Sequence, residues 1–291
     1  MNCSSKKARS TILWRQALAV VLAAGLIALF ASGASAQIAF INESHATTGT
    51  SGVDVITIAT PAGAGDTLIA VLTARGQMST FDPLNPAEPQ WIRPDATWAR
   101  ISSVARNNQV FQAIFVKYLD SSGAATSYSF KVKFDQPTTV RLAGALLFFN
   151  GVDSVLGPAL ASRGNDPACT QNAWPRTGVT QYNNANWAAT QCQAAKYSIL
   201  ANGRNAPVGG AVLLGAWVHG WANVSTDQTW TYPSTMAPLA SFENNSGVRG
   251  LSQFIAGERV FAAGPTGARV AQPSDTGNVV HSIGQLILLL P

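Results

Sequence analysis

From Val53 onward, apolar and polar residues either alternate or run together in short blocks bounded by turn-forming residues. "VDVITIAT" (53–60) alternates and is β-branched at most of its inward positions. "DTLIAVLTA" (66–74), "QVFQAIFVKYL" (109–119), "SYSFKVKF" (127–134) and "VRLAGALLFF" (140–149) follow it. Between them lie "PAGAG", "LDSSGAA" and "FDQPTT", which are turn compositions. No long stretch beyond residue 37 carries a 3.6-residue period, so the pattern predicts strands without helices.

The same order then recurs. "AGDTLIAVLTARG" (64–76) has a counterpart in "VGGAVLLGAWVHG" (208–220), and "VFQAIFVKYLDSSGAATSYSFKVKF" (110–134) in "LSQFIAGERVFAAGPTGARVAQ" (251–272). "VRLAGALLFFNGVD" (140–153) matches "VVHSIGQLILLLP" (279–291). The reading is one all-β domain over 37–291, a two-sheet jelly-roll-like sandwich built from two pseudo-repeated halves, about 37–153 and 205–291. Each half is expected to hold about four strands. The near-continuous apolar runs "LAGALLFF" and "GQLILLL" predict strands buried on both faces.

One order of segments resembles a known module. "PAGAGDTLIAVLTARG", the Trp-containing "TWARISS", then "VFQAIFVKYL", "YSFKVKF" and "RLAGALLFFNGVD" look like a β-sandwich module of bacterial secreted and surface proteins, found also in phage-related ones. There a "GDLLVAV"-type strand precedes a "GW" loop and a strand ending in "YRGVD". The resemblance runs from Ile38 to Pro291 and implies a β-sandwich, with no defined catalytic residues. The chain departs from it at Phe149 and Asn150, where Tyr and Arg are usual, and in a long insertion between the halves.

The first 36 residues change the charge picture. Lys6, Lys7, Arg9 and Arg15 precede the apolar "ALAVVLAAGLIALFASG", and "ASA" stands before Gln37, which together read as an export signal with its cleavage site. A retained membrane anchor is the rival. Residues 1–36 hold four basic and no acidic residues, so their removal lowers the formal charge from +5 to +1. A nearly neutral mature chain lacks the basic footprint that nucleic acid requires. After cleavage nothing in the sequence calls for a membrane. The expected location is extracellular or at the cell surface, with the periplasm as the other oxidising compartment.

Cys3 leaves with the signal, and Cys169 and Cys192 remain. In an oxidising compartment they are expected to form a disulfide that closes the insertion 169–192. A metal site is the weaker alternative, because no His lies near the pair. By the chain-entropy relation a bridge across this loop stabilises by roughly 3 kcal/mol. Within it, Trp174, Tyr182 and Trp187 lie among amides and small residues with no strand period, and are the candidate ligand-binding aromatics. Trp98, Trp217 and Trp230 abut strand patterns and are expected in the core.

Catalytic signatures are sparse. Neither G-x-S-x-G nor H-E-x-x-H occurs. The fourteen acids show no spacing that sets two carboxylates across a cleft. Asp82, Glu88 and Asp95 fall in one loop region, Glu243 and Glu258 in the second half. Of the three histidines, His219 falls at the position of Arg75 when the halves are matched, and His45 and His281 flank other strands. No cofactor is expected. Calcium is the one cation that "FDPLNPAEP" or "GNDPAC" could recruit, against the plainer reading of Asx turns. Three functions are therefore ranked. First is non-enzymatic extracellular binding or adhesion, to a glycan or a surface protein. Second is a self-associating subunit of a fibre or sheath, and third a secreted hydrolase.

Overall fold

A computed structural model describes residues 37–48, 53–76, 91–106, 110–121, 123–132, 140–154, 159–164, 199–201, 203, 205–221, 229–244, 250–274 and 279–291. Residues 38–291 form one compact unit. The first half contains β1 (Ala39–Thr48), β2 (Val55–Ala59), β3 (Thr67–Arg75), β4 (Trp91–Ile92), β5 (Ala99–Arg106), β6 (Val110–Tyr118), β7 (Ser127–Val132) and β8 (Arg141–Asn150). The second contains β9 (Ala159–Gly164), β10 (Ile199–Ala201), β11 (Asn205–Ala206), β12 (Ala211–Trp221) and β13 (Trp230–Thr231). It continues with β14 (Ala237–Asn244), β15 (Gly250–Val260), β16 (Gly264–Pro265), β17 (Arg269–Pro273) and β18 (Val279–Leu289).

The sheets repeat strand for strand. The first half pairs β1-β8-β3-β6-β5 and β2-β7-β4, and the second β9-β18-β12-β15-β14 and β10-β17-β13. The ribbon β11-β16 is extra. The fold is thus all-β, with eight matched strands per half among the described residues, where about four are legible in sequence. Several matched strands, such as β4 and β13, are two residues long, too short to show alternation. Each half is itself a five-plus-three sandwich.

Three cores explain the layering. Ile69, Val71, Ile114, Leu147 and Phe149 of the first five-stranded sheet meet Leu214, Ala216, Val218, Ile255 and Ile287 of the second. On the far face of the first sheet, Leu68, Leu72 and Phe115 pack beneath Ile56, Trp91 and Phe130 of the three-stranded sheet. On the far face of the second, Leu213, Trp217 and Phe254 do the same beneath Ala201 and Ala271. The five-stranded sheets are therefore covered on both sides, which is why β8 and β18 read as unbroken apolar runs.

The ladders also fix the match between halves. Thr73 faces Gln112 and Ala143, while Val218 faces Gln253 and Ile283. With Gln112 and Gln253 equivalent, Arg75 corresponds to Gly220 and His219 to Ala74, one residue off the sequence match. Side-chain direction has period two, so that slip changes faces. Arg75 points into the inter-sheet core beside Gly220, where a Cβ would sit 3.2 Å from Arg75 Cδ. His219 points the other way and is fully buried, its Nδ1 3.2 Å from Ser282 Oγ.

Two sequence features acquire local causes. The Asp of "GDTLIAV" ties down the "NGVD" turn: Asp66 Oδ2 accepts the Gly151 amide at 2.9 Å, and Oδ1 accepts the Thr67 hydroxyl at 2.8 Å. Gly151 needs φ of 79° there. Trp217 lies back along its own strand over Gly215, where a Cβ would come within 2.1 Å of the indole. Its cross-strand neighbour is Gly284, as Gly144 is that of Leu72 in the first half.

Polar bonds stitch the halves. Thr73 Oγ1 donates to Gln253 Oε1 at 2.9 Å, and Gln253 Nε2 to the Val71 carbonyl at 3.3 Å. Gln285 Nε2 donates to Gln112 Oε1 at 2.8 Å, and Ser102 hydrogen-bonds Gln285 Oε1. Asn244 Nδ2 donates to the carbonyls of Thr48 and Leu142 at 2.6 and 3.1 Å, and Arg75 donates to the Gly250 carbonyl.

Candidate functional site

A duplicated fold supplies its own comparison, and the halves differ where the chain passes from the small sheet to the large one. In the first half that passage is "WIRPDATW" (91–98), in the second "WTYPSTM" (230–236). Both close a tight turn, with the Trp98 amide on the Asp95 carbonyl at 3.4 Å and the Met236 amide on the Pro233 carbonyl at 3.0 Å. Trp98 and Met236 then enter equivalent core positions. Four further positions correspond. Lys117 and Glu258 each stand five residues after the matched glutamines. Tyr128 and Arg269 each stand three before Lys131 and Gln272, which pair with Ile92 and Thr231.

In the first half the passage is closed. Trp98 meets Tyr128 and Phe130 edge-on at 5.0 and 5.2 Å. Lys117 Nζ lies 5.6 Å from the Tyr128 ring centre and 4.0 Å from Asp95 Oδ2, and it also bonds Thr97 Oγ1. The Thr97 hydroxyl, above all, holds the pKa of the Asp95 carboxyl below its usual value, and the Thr97 amide adds a 2.7 Å bond. Arg93, itself exposed, donates to the Trp98 carbonyl at 2.8 Å.

In the second half the same passage is open. Smaller Met236 replaces Trp98, and Phe254 takes the place of Ala113, filling the core from below. Tyr232 and Trp230 stack on Phe254 at 4.9 and 5.6 Å, and Trp230 Nε1 donates to Ser252 Oγ at 2.9 Å. At Lys117's position the charge is reversed: Arg269 Nε donates to Glu258 Oε2 at 3.2 Å, Nη2 bonds Oε1, and the Thr235 hydroxyl donates to Oε2 at 2.5 Å. Arg269 Nη1 donates to the carbonyls of Thr266 and Ala268 at 2.7 and 3.0 Å. What remains is a shallow depression of about 490 Å³ lined by Thr231, Tyr232, Thr235, Arg269, Val270 and Gln272. Among the described residues, no hydrogen bond engages the side chains of Thr231 or Gln272.

Trp174, Tyr182 and Trp187, with Cys169 and Cys192, lie outside the described residues, as do residues 1–36, Asp82 and Glu88. The strands that bracket the insertion are β9, ending at Gly164, and β10, beginning at Ile199. Trp98 and Trp217 are fully buried and Trp230 is partly buried against the core. His45 lies on β1, its Nδ1 3.2 Å from Glu43 Oε2 and its ring stacked on Phe242. Among the described residues no three metal-ligating side chains gather. Tyr232 and Gln272 escaped notice in sequence, and the available signal was the parallel W-x-x-P of "WIRP" and "WTYP". In comparisons with protein-family models, curated proteins and solved structures, nothing matches this chain.

Proposed function

We propose that the chain is an exported, non-enzymatic β-sandwich protein that acts in extracellular binding or adhesion. The divergence between its halves carries this reading. In one passage Trp98 is buried and Lys117 lies over Tyr128, while in its duplicate a depression opens beside Tyr232. A surface serving only packing has no reason to open in one copy and close in the other. The insertion with Trp174, Tyr182 and Trp187, stapled by Cys169–Cys192, is a second contact surface in this proposal. Likeness to a β-sandwich module of secreted and surface proteins supports the export part of this reading. Self-assembly into a fibre or sheath is the second reading, favoured by Phe261, which is 82% exposed near the half-exposed Val208.

The test uses the protein secreted by cells expressing the full chain. Intact mass is expected to begin at Gln37 with Cys169 and Cys192 joined, and the monomer is expected to attach to cells or immobilised glycans. Filaments in electron micrographs of the same sample would favour the second reading. A mass retaining residues 1–36, or a monomer that attaches to nothing, would remove the reading.

A further inference from the structure

We infer that the depression beside Tyr232 is a binding site for a neutral glycan, with one pyranose ring lying on the tyrosine. This rests on the binding reading above and deepens it by naming a site and a ligand class. Tyr232 is 36% exposed, and one side of its ring is already backed by Phe254, so the platform is ordered before any ligand arrives. An aromatic face of this kind suits the C–H face of a sugar, which is apolar while its rim is hydroxyl.

The polar groups match that rim. Thr231 and Gln272 are cross-strand partners among the residues that line the depression, offering a hydroxyl and a primary amide. Each offers both donor and acceptor, which is what a sugar hydroxyl requires. Charge then narrows the class. All three nitrogens of Arg269 already donate, to Glu258 and to two carbonyls, and Glu258 accepts from Arg269 and Thr235. The wall is therefore neutral in sum and its charged groups are committed. An anionic ligand finds no spare cation, and a cationic one no spare carboxylate. The volume of about 490 Å³ lies within the range of small-ligand sites, and the opening is shallow. That geometry suits one residue of a longer chain, bound individually on the order of 1 mM and strengthened by multivalent display.

The experiment compares wild type, Tyr232→Ala, Tyr232→Phe, Gln272→Ala and the pair Trp174→Ala/Trp187→Ala on an array of neutral and acidic glycans, with circular dichroism to verify folding. Wild type is expected to bind neutral glycans with little change in 0.5 M sodium chloride, since no ion pair is made. Tyr232→Ala should weaken this about tenfold or more, and Gln272→Ala less. Tyr232→Phe should stay within about threefold, because the ring face is kept. Amide shifts on adding methyl β-D-glucopyranoside and methyl β-D-galactopyranoside to wild type give a second readout that needs no variant. They are expected at Thr231, Tyr232 and Gln272.

Undiminished binding by Tyr232→Ala, shifts confined to other residues, or binding limited to acidic glycans and abolished by salt would each overturn the inference. If the Trp174/Trp187 pair loses glycan binding while Tyr232→Ala keeps it, the site falls and the binding function stands. Attachment to cells without any glycan binding removes the ligand class alone. Attachment to neither removes both.

Discussion

Tyr118 sits where the first half turns from β6 toward "LDSSG", with its hydroxyl donating to the Asp153 carbonyl at 3.3 Å. Burial, aided by the nearby Asp153 and Asp66 carboxylates, makes the phenol a weaker acid and pushes its pKa up to about 12 from 10.0. The sign follows from which state ionises first. Unfolded chains lose this proton near the ordinary tyrosine value, whereas the folded protein holds it. The contribution is therefore complete below about pH 10 and is lost as pH rises through the folded value near 12. Tyrosinate absorbance should show one tyrosine titrating late, and Tyr118→Phe should remove that component and flatten the alkaline fall in stability. A wild-type titration with every tyrosine near the ordinary value would contradict this.

At the scale of elements, the duplicated passages make a differential claim. The Glu258–Arg269 pair is largely buried, with side chains 9% and 18% exposed, and each partner holds further bonds. Glu258→Ala leaves Arg269 partly buried without its counter-charge, so a loss of about 3 kcal/mol is expected. Lys117→Ala at the matched position removes a cation over a tyrosine and a bond to Thr97, and should cost about 1 kcal/mol. Urea denaturation of both variants tests the ordering, and an equal or reversed cost would show that the two rims are not as different as their bonds. The strands that carry these groups were only half legible. β3, β6, β7 and β8 are long and apolar enough to declare themselves. β4 and β13 are two residues long, and β1 is an edge strand with mostly exposed side chains, so neither kind has a pattern to read.

For the molecule as a whole, the central core belongs to neither half alone. Ile69, Val71 and Leu147 bury themselves only against Leu214, Val218 and Ile287, and the Thr73–Gln253 and Gln112–Gln285 bonds cross the same seam. Separating the sheets would expose that apolar face and leave buried amides without partners, each costing about 1–3 kcal/mol. Residues 38–291 should therefore unfold in one calorimetric transition, with the van't Hoff and calorimetric enthalpies equal. Two resolved transitions would mean that each five-plus-three sandwich is stable by itself.

The sequence by itself determined the all-β class, the long central strands, the internal repeat and the burial of Trp98 and Trp217. These follow from short-range periodicity and from apolar content, which act along the chain. Only the tertiary structure decided how many strands each half holds, which face Arg75 and His219 take, and that the halves meet sheet to sheet. It also decided which copy of the repeat is open. A one-residue slip between Arg75 and His219 is invisible to composition, yet it reverses the side chains' direction, and the ladders alone set it. The Tyr232 depression depends on Phe254, Arg269 and Glu258, residues of separate strands whose meeting is fixed by pairing across the sheets and not by their spacing in the chain.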